Sequence, residues 1–232
     1  YIVYLFSSVL LSNELTFNTL WGNCTFINQS NSLSSKQITQ IINLEIQKMY
    51  NTHGPIPINN FTILIADSKS IASKHPHWKW SLGITYHSPD KIILKDPALS
   101  KISWSKFQKV IAHELNHIML NRIQYRHTIP RWFKEGVAMK TANEISMYHK
   151  LRIASNTNNQ SLFNLSDYNN FKDMNKQEFN FAYALSSASI LLLEKIYGEN
   201  TIERIISYLI GGKSFQESFY NATGTKIENF NN

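Results

Sequence analysis

Residues 107–120, FQKVIAHELNHIML, place His113, Glu114 and His117 in the middle of an apolar run. Phe107, Val110, Ile111, Glu114 and Ile118 share one side at helical spacing, and Ser103 or Ser105 stands where a helix cap belongs. Residues four apart on a helix are separated by about 400°, so His113 and His117 stand one turn apart on the same face. Two imidazoles placed this way reach one tetrahedral zinc ion at roughly 2.0 Å each. Glu114 lies about 100° further round, near enough to serve as a base beside such a centre but not as a ligand to it. Among eight histidines, a random ordering produces His-Glu-x-x-His with a probability of about 0.01. Spacing alone therefore does not decide the matter, and the flanking sequence has to.

A catalytic zinc needs a third protein ligand and one open position. The segment IPRWFKEGVAMK (residues 129–140) offers Glu135, 18 residues beyond His117 (135 − 117) on the next expected helix. Pro130 suits the first turn of that helix. Gly136, beside the carboxylate, permits two helix backbones to approach closely. The combination of His113-Glu114-x-x-His117 with Trp132-Phe133-Lys134-Glu135-Gly136-x-Ala138 resembles the gluzincins, zinc peptidases whose third ligand is a glutamate in a W-x-x-E-G-x-A segment. AYALSSASILLLEKIYG followed by SFQESFYNATGTKIENF is similar to the helical tail of the bacterial peptidase-MA-like families.

The resemblance spans residues 60–230 and implies an α+β, zincin-like metalloprotease domain. That domain would have a small antiparallel or mixed sheet, an active-site helix and a helical carboxyl-terminal part. It implies one Zn2+ per chain held by His113, His117 and Glu135, with Glu114 as general base. Departures narrow the branch. Leu120 and Ile123 occupy the Gly and His positions of a metzincin, and the G-x-M-E-N segment of zinc aminopeptidases is absent upstream. Met139 stands where a thermolysin-type enzyme has an aspartate.

Tyr183 is the expected oxyanion donor, as a tyrosine is in related gluzincins. Phe181, Leu185, Ala188, Leu192 and Ile196 form one stripe of its helix, and Tyr183 points about 160° away from that stripe, with Ser186 and Ser187 near it. His87, His127 and His149 compete for the same role, and their spacing does not choose among them. His75 and His77, in SKHPHWKW, read as loop residues because no carboxylate lies nearby in sequence.

Charge is concentrated around these motifs. The chain carries a net +7; residues 69–152 hold 15 Lys/Arg against 5 Asp/Glu, and the remainder holds 8 against 11. A lysine-rich solvated surface accounts for this, as does attraction to an acidic substrate or an anionic envelope surface. No helix-turn-helix or RNA-binding signature accompanies the charge, so no nucleic-acid partner is expected. The single cysteine, Cys24, excludes an intrachain disulfide and a cysteine-built zinc site.

The remaining elements follow from periodicity. Ile38, Ile41, Ile42, Ile46 and Met49 mark a helix ended by Gly54 and Pro55. FTILIADS reads as a buried strand, and GITYHS and KIILKDP as two strands around Ser88-Pro89-Asp90, with KIILKDP expected beside the cleft as the partner of an extended substrate. Residues 155–178 read as loop, followed by helices at FNFAYALSSASILLLEKIYG, TIERIISYLIGG and SFQESFYNATG.

Residues 12–35, polar and Asn/Ser-rich, read as a linker or loosely held arm. Residues 1–11 form an apolar run of signal-core length, with Tyr1 where a start methionine is expected. The expected division is thus an apolar leader or anchor remnant with a polar arm (1–35) and a metallopeptidase domain (36–232), whose helical part covers 151–232. The expected function is a zinc endopeptidase acting on a peptide or protein substrate, membrane-anchored or secreted at the cell envelope. The rival is a catalytically inactive zincin-fold binding or assembly module at the envelope, against which the intact Glu114 argues.

Overall fold

The computed structural model describes residues 13–29, 33–66, 81–123, 128–146, 166 and 174–230. The apolar run at residues 1–11 and His75, His77, His127 and His149 lie outside the described residues.

Five strands form one mixed sheet: β1 (Asn13–Thr19), β2 (Gly22–Asn28), β3 (Phe61–Ala66), β4 (Gly83–Tyr86) and β5 (Lys91–Lys95), in the order β1-β2-β3-β5-β4. β2, β3 and β5 run parallel, and β1 and β4 are antiparallel to their neighbours. Helix α1 (Ser35–His53) is the crossover between β2 and β3, and it packs Ile38, Ile42, Ile46 and Met49 into the core.

Within the stretch 12–35 expected as an arm, residues 13–28 are not loose. Residues 13–28 form a hairpin whose second strand buries Trp21, Cys24 and Phe26 and pairs with β3 in the register Cys24–Phe61, Phe26–Ile63. The polar residues that make this stretch look like a linker alternate with the buried ones, as period-two geometry requires. Gly22 closes the turn at φ 110°, and a Cβ there would meet the Asn59 carbonyl oxygen at 2.5 Å.

Beyond the sheet the elements of the described residues are helices: α2 (Trp104–Ile123), α3 (Arg131–Thr141), α4 (Lys176–Tyr197), α5 (Thr201–Ile210), α6 (Phe215–Thr223) and α7 (Ile227–Phe230). The molecule is an α+β domain with a five-stranded mixed sheet, a central helix and a helical carboxyl-terminal part, as expected. Helix α2 starts at the Ser103 hydroxyl, which accepts from the Lys106 amide at 3.2 Å. It is buried on all sides from Val110 to Leu120, wedged between β4, β5, α1 and α3. Trp132 and Phe133 of α3 anchor the carboxyl-terminal helices through Phe215 and Phe230, with Phe133 and Phe215 ring centroids 5.0 Å apart.

Two expectations about faces are corrected. KIILK, as β5, is paired on both sides, so it offers no free edge; the edge strand beside α2 is β4. In α4 the buried face is Ala182, Ser186, Ser189, Ile190 and Leu193, whereas Leu192 and Ile196 are exposed. The reason is the close crossing of α3 at Gly136, which selects the side of α4 with small residues. Ser186 and Ser189 are tolerated there because their hydroxyls donate to the carbonyls of Ala182 and Leu185, each at 2.8 Å.

Candidate metal centre and catalytic cleft

The one-turn spacing on α2 brings His113 and His117 edge to face, with ring centroids 4.8 Å apart and Nε2 atoms 3.1 Å apart. Helix α3 returns alongside and delivers Glu135, fully buried, with Oε2 3.4 Å from the His113 Nε2 and 3.3 Å from that of His117. Gly136 is what allows this approach of α3 to α4: a Cβ would stand 2.4 Å from Ile190 Cγ1 and 2.5 Å from the Ser186 carbonyl oxygen.

The three atoms form a nearly equilateral triangle. Four-coordinate zinc with bonds of about 2.0–2.1 Å has ligand atoms about 3.3–3.4 Å apart, which these edges match. Two neutral nitrogens and one carboxylate oxygen, buried together, also suit zinc better than the hard cations that prefer oxygen cages. Among the described residues His113, His117 and Glu135 are thus a group fit to hold such an ion.

Outer contacts orient the triangle. The His113 Nδ1–H donates to Glu144 Oε2 at 2.8 Å, which turns Nε2 towards the triangle. Lys106 Nζ donates to the other Glu144 oxygen at 2.6 Å. Arg131 Nη2 sits 2.5 Å from Glu135 Oε1, leaving Oε2 for the triangle. Burial disfavours charge on all three titrating groups, but their partners win. Glu135 and Glu144 push His113 up to about 10. The charges of Arg131 and the two histidines hold Glu135 well below the usual carboxylate range. His113 and Lys106 bring Glu144 down to about 2.

Glu114 lies outside the triangle. Its Oε2 accepts from the Thr85 hydroxyl of β4 at 2.6 Å, and its side chain presses on Gly83 of the same strand. A cavity of about 300 Å³ opens in front of it, lined by Gly83, Val110, His113, Glu114, Met139 and Tyr183 among others. Tyr183 reaches this cavity from α4. Its ring stacks on His113 with centroids 6.4 Å apart and 16° between planes, and its hydroxyl is within hydrogen-bonding reach of Glu135. Burial and the Glu135 charge push the Tyr183 hydroxyl well above its ordinary value, so it stays a neutral donor. Ser186 and Ser187, expected near it, are instead turned to backbone carbonyls. His87 is exposed on the β4–β5 turn.

The structure therefore brings His113, His117 and Glu135 together, and lines the cavity beside them with His113, Glu114 and Tyr183. Sequence reading overlooked Arg131, Gly83, Thr85, Lys106 and Glu144. Only Arg131 left a local signal, its position four residues before Glu135 on the same helix.

Two histidines on a long helix under the edge of a mixed sheet and a glutamate from the helix that follows form a candidate metal site. The family model described as the Peptidase MA superfamily matches residues 45–232, and the chain belongs to that family. Among solved structures, the chain is similar to a mutant of an M1 zinc metallopeptidase from Deinococcus radiodurans, with a TM-score of 0.57 at 10% identity. That match covers 94% of this chain and 50% of the other, so the chain spans about half the length of that enzyme and shares its fold. No curated protein matches the chain.

Proposed function

We propose that the chain is a gluzincin-type zinc endopeptidase that hydrolyses peptide bonds with Glu114 as general base. The observation that carries this reading is the division of labour among the three acidic groups at the cleft. Glu135 completes a triangle of zinc dimensions, Glu144 sits behind His113, and Glu114 stands clear of the triangle beside open space. A glutamate so placed is not needed to hold a metal and is available to move a proton.

Zinc, when bound by His113, His117 and Glu135, supplies Lewis acidity towards the scissile carbonyl and makes water a stronger acid. Glu114 accepts the proton of the attacking water and returns it to the leaving amine. Thr85, donating to Glu114 Oε2, fixes the carboxylate for that transfer. Tyr183, a neutral donor at the same cavity, stabilises the charge that develops on the carbonyl oxygen. The outer edge of β4, beside Glu114, supports an extended peptide pairing as an added strand. That geometry favours cleavage within a chain.

An envelope location is supported by the apolar character of residues 1–11 and the cationic stretch 69–152. Among the described residues no helix is long and apolar enough to cross a membrane. Cell fractionation checks it: full-length protein wholly in the cytoplasmic fraction removes the location and leaves the chemistry untouched.

The decisive experiment measures zinc content and peptide hydrolysis on the same preparations of Glu114→Gln, Glu135→Ala and His113→Ala. Glu114→Gln should keep its zinc and lose at least about 100-fold of activity, the scale of a general base. The two ligand variants should lose zinc affinity. If Glu114→Gln retains full activity, Glu114 is not the base. If the folded wild-type protein takes up zinc but cleaves no peptide, the binding-module reading replaces the enzyme.

A further inference from the structure

We propose that Glu144, held in place by Lys106, is the positioning residue that sets the tautomer and ring orientation of His113 for metal binding. The inference rests on the zinc reading above.

Its basis is an unusual placement. Met139, four residues after Glu135, packs into the cleft wall, so beyond Glu135 itself helix α3 provides no carboxylate for the outer nitrogen of His113. The chain instead leaves α3 at Thr141 and turns back through Ala142 and Asn143, the latter at φ 51°. Three contacts fix that turn. The Glu144 amide donates to the Met139 carbonyl at 2.8 Å, Lys109 Nζ donates to the Asn143 carbonyl at 2.7 Å, and Lys106 Nζ donates to Glu144 Oε1 at 2.6 Å. Both lysines belong to α2, the helix that carries His113.

The result is a closed circuit. Helix α2 presents His113, and one turn or more earlier it presents two cations that pin the segment whose carboxylate receives the His113 Nδ1–H. Glu144 spends one oxygen on each partner, so the Lys106 contact selects which oxygen meets the imidazole. An imidazole that donates from Nδ1 to a carboxylate keeps its Nε2 lone pair exposed and becomes a stronger donor to a metal. Removing such a partner costs about 10–100-fold in metal affinity or activity. Lys106 also lines the cavity, so this circuit forms part of the cleft wall that a substrate would meet.

The test is a zinc competition titration against a fluorescent chelator, run on the full chain as wild type, Glu144→Ala, Glu144→Gln and Lys106→Met. Thermal melts of the zinc-free proteins and histidine-ring 1H–15N spectra of the zinc-loaded proteins accompany it. Glu144→Ala should bind zinc about 10–100-fold more weakly than wild type. Its zinc-free melt should fall, because the His113 and Lys106 contacts are lost, and the Nδ1–H signal of zinc-loaded His113 should be lost to exchange with solvent. Glu144→Gln, whose amide oxygen still accepts from Nδ1, should fall between the two and retain the Nδ1–H signal. Lys106→Met should weaken zinc by less than Glu144→Ala does.

Zinc affinity in Glu144→Ala equal to wild type overturns the proposal. So does an equal loss in Glu144→Ala and Glu144→Gln that tracks a lowered zinc-free melt, the mark of a purely structural contact. If Glu144→Ala does not fold, the isosteric Glu144→Gln and the ring spectra still decide. A zinc-loaded wild-type protein without a protected His113 Nδ1–H contradicts the geometry. A wild-type protein that binds no zinc at all is a separate result and overturns the peptidase reading itself.

Discussion

Gly83 of the edge strand and Glu114 of the central helix are in contact so close that a Cβ on residue 83 would lie 2.7 Å from both Cγ and Oε1 of Glu114. The only side chain that fits at 83 is therefore a hydrogen. Gly83→Ala should push the Glu114 carboxylate off the Thr85 hydroxyl without touching the zinc ligands. Misplacing a reacting group by about 1 Å can cost on the order of 100-fold in rate. Peptide hydrolysis should fall on that scale while zinc content stays at the wild-type level. Unchanged hydrolysis by Gly83→Ala would show that the Glu114 position does not control the rate.

Arg122, near the end of α2, is a second structural dependency. Its guanidinium pairs with buried Asp90 at 2.7 Å and donates to the carbonyls of Trp21 at 2.9 Å and Asn59 at 2.8 Å. One side chain thus ties the helix that carries the histidines to the β1–β2 hairpin, the β3 approach and the β4–β5 turn. Arg122→Met leaves a buried carboxylate without its cation and removes a donor from the Trp21, Pro57 and Asn59 carbonyls, a change that costs about 3–5 kcal/mol. Denaturant unfolding should report that loss, and a change below about 1 kcal/mol, the range of an exposed pair, would mean that water replaces the guanidinium.

Gly136→Ala should destabilise by about 1–3 kcal/mol, the usual range for overpacking. The added methyl meets both Ile190 Cγ1 and the Ser186 carbonyl oxygen. Trimming only the side chain, in Gly136→Ala/Ile190→Ala, should therefore fail to restore stability, because the backbone oxygen remains. Full recovery in the double variant would place the clash in the side chain alone.

His113 gives a pH signature to the zinc-free protein. Its pKa is raised to about 10 in the folded state, against an ordinary value of 6.5. A group shifted upward contributes stability that is fully present below pH 6.5 and is lost as pH rises to about 10. The melting temperature of zinc-free wild type, relative to His113→Gln, should therefore decline through that window. Zinc competes with the proton for the same nitrogen, so loading should flatten the decline and release protons. A constant difference between the two proteins from pH 6.5 to 10 would show that no such proton is held.

The sequence by itself determined whatever depends on one helix turn or a short return. His113 and His117 share a face because of the helical repeat. Glu135 is recognisable from the segment around it. These relations are local, so periodicity and spacing carry them. The angle given to Tyr183 is different, because it is taken from a stripe whose Leu192 and Ile196 are exposed. The hairpin at residues 13–28 was hidden because alternating strands that bury only every second residue look polar in composition, and their partner β3 lies more than 30 residues away. The buried face of α4 was misread for a related reason: its choice of side depends on where Gly136 crosses it. Only the tertiary structure put β4, and not β5, at the edge, and only it joined Glu144 to His113 across 31 residues. No spacing rule encodes that contact, because its geometry is set by two lysines of α2 holding a turn that belongs to another element.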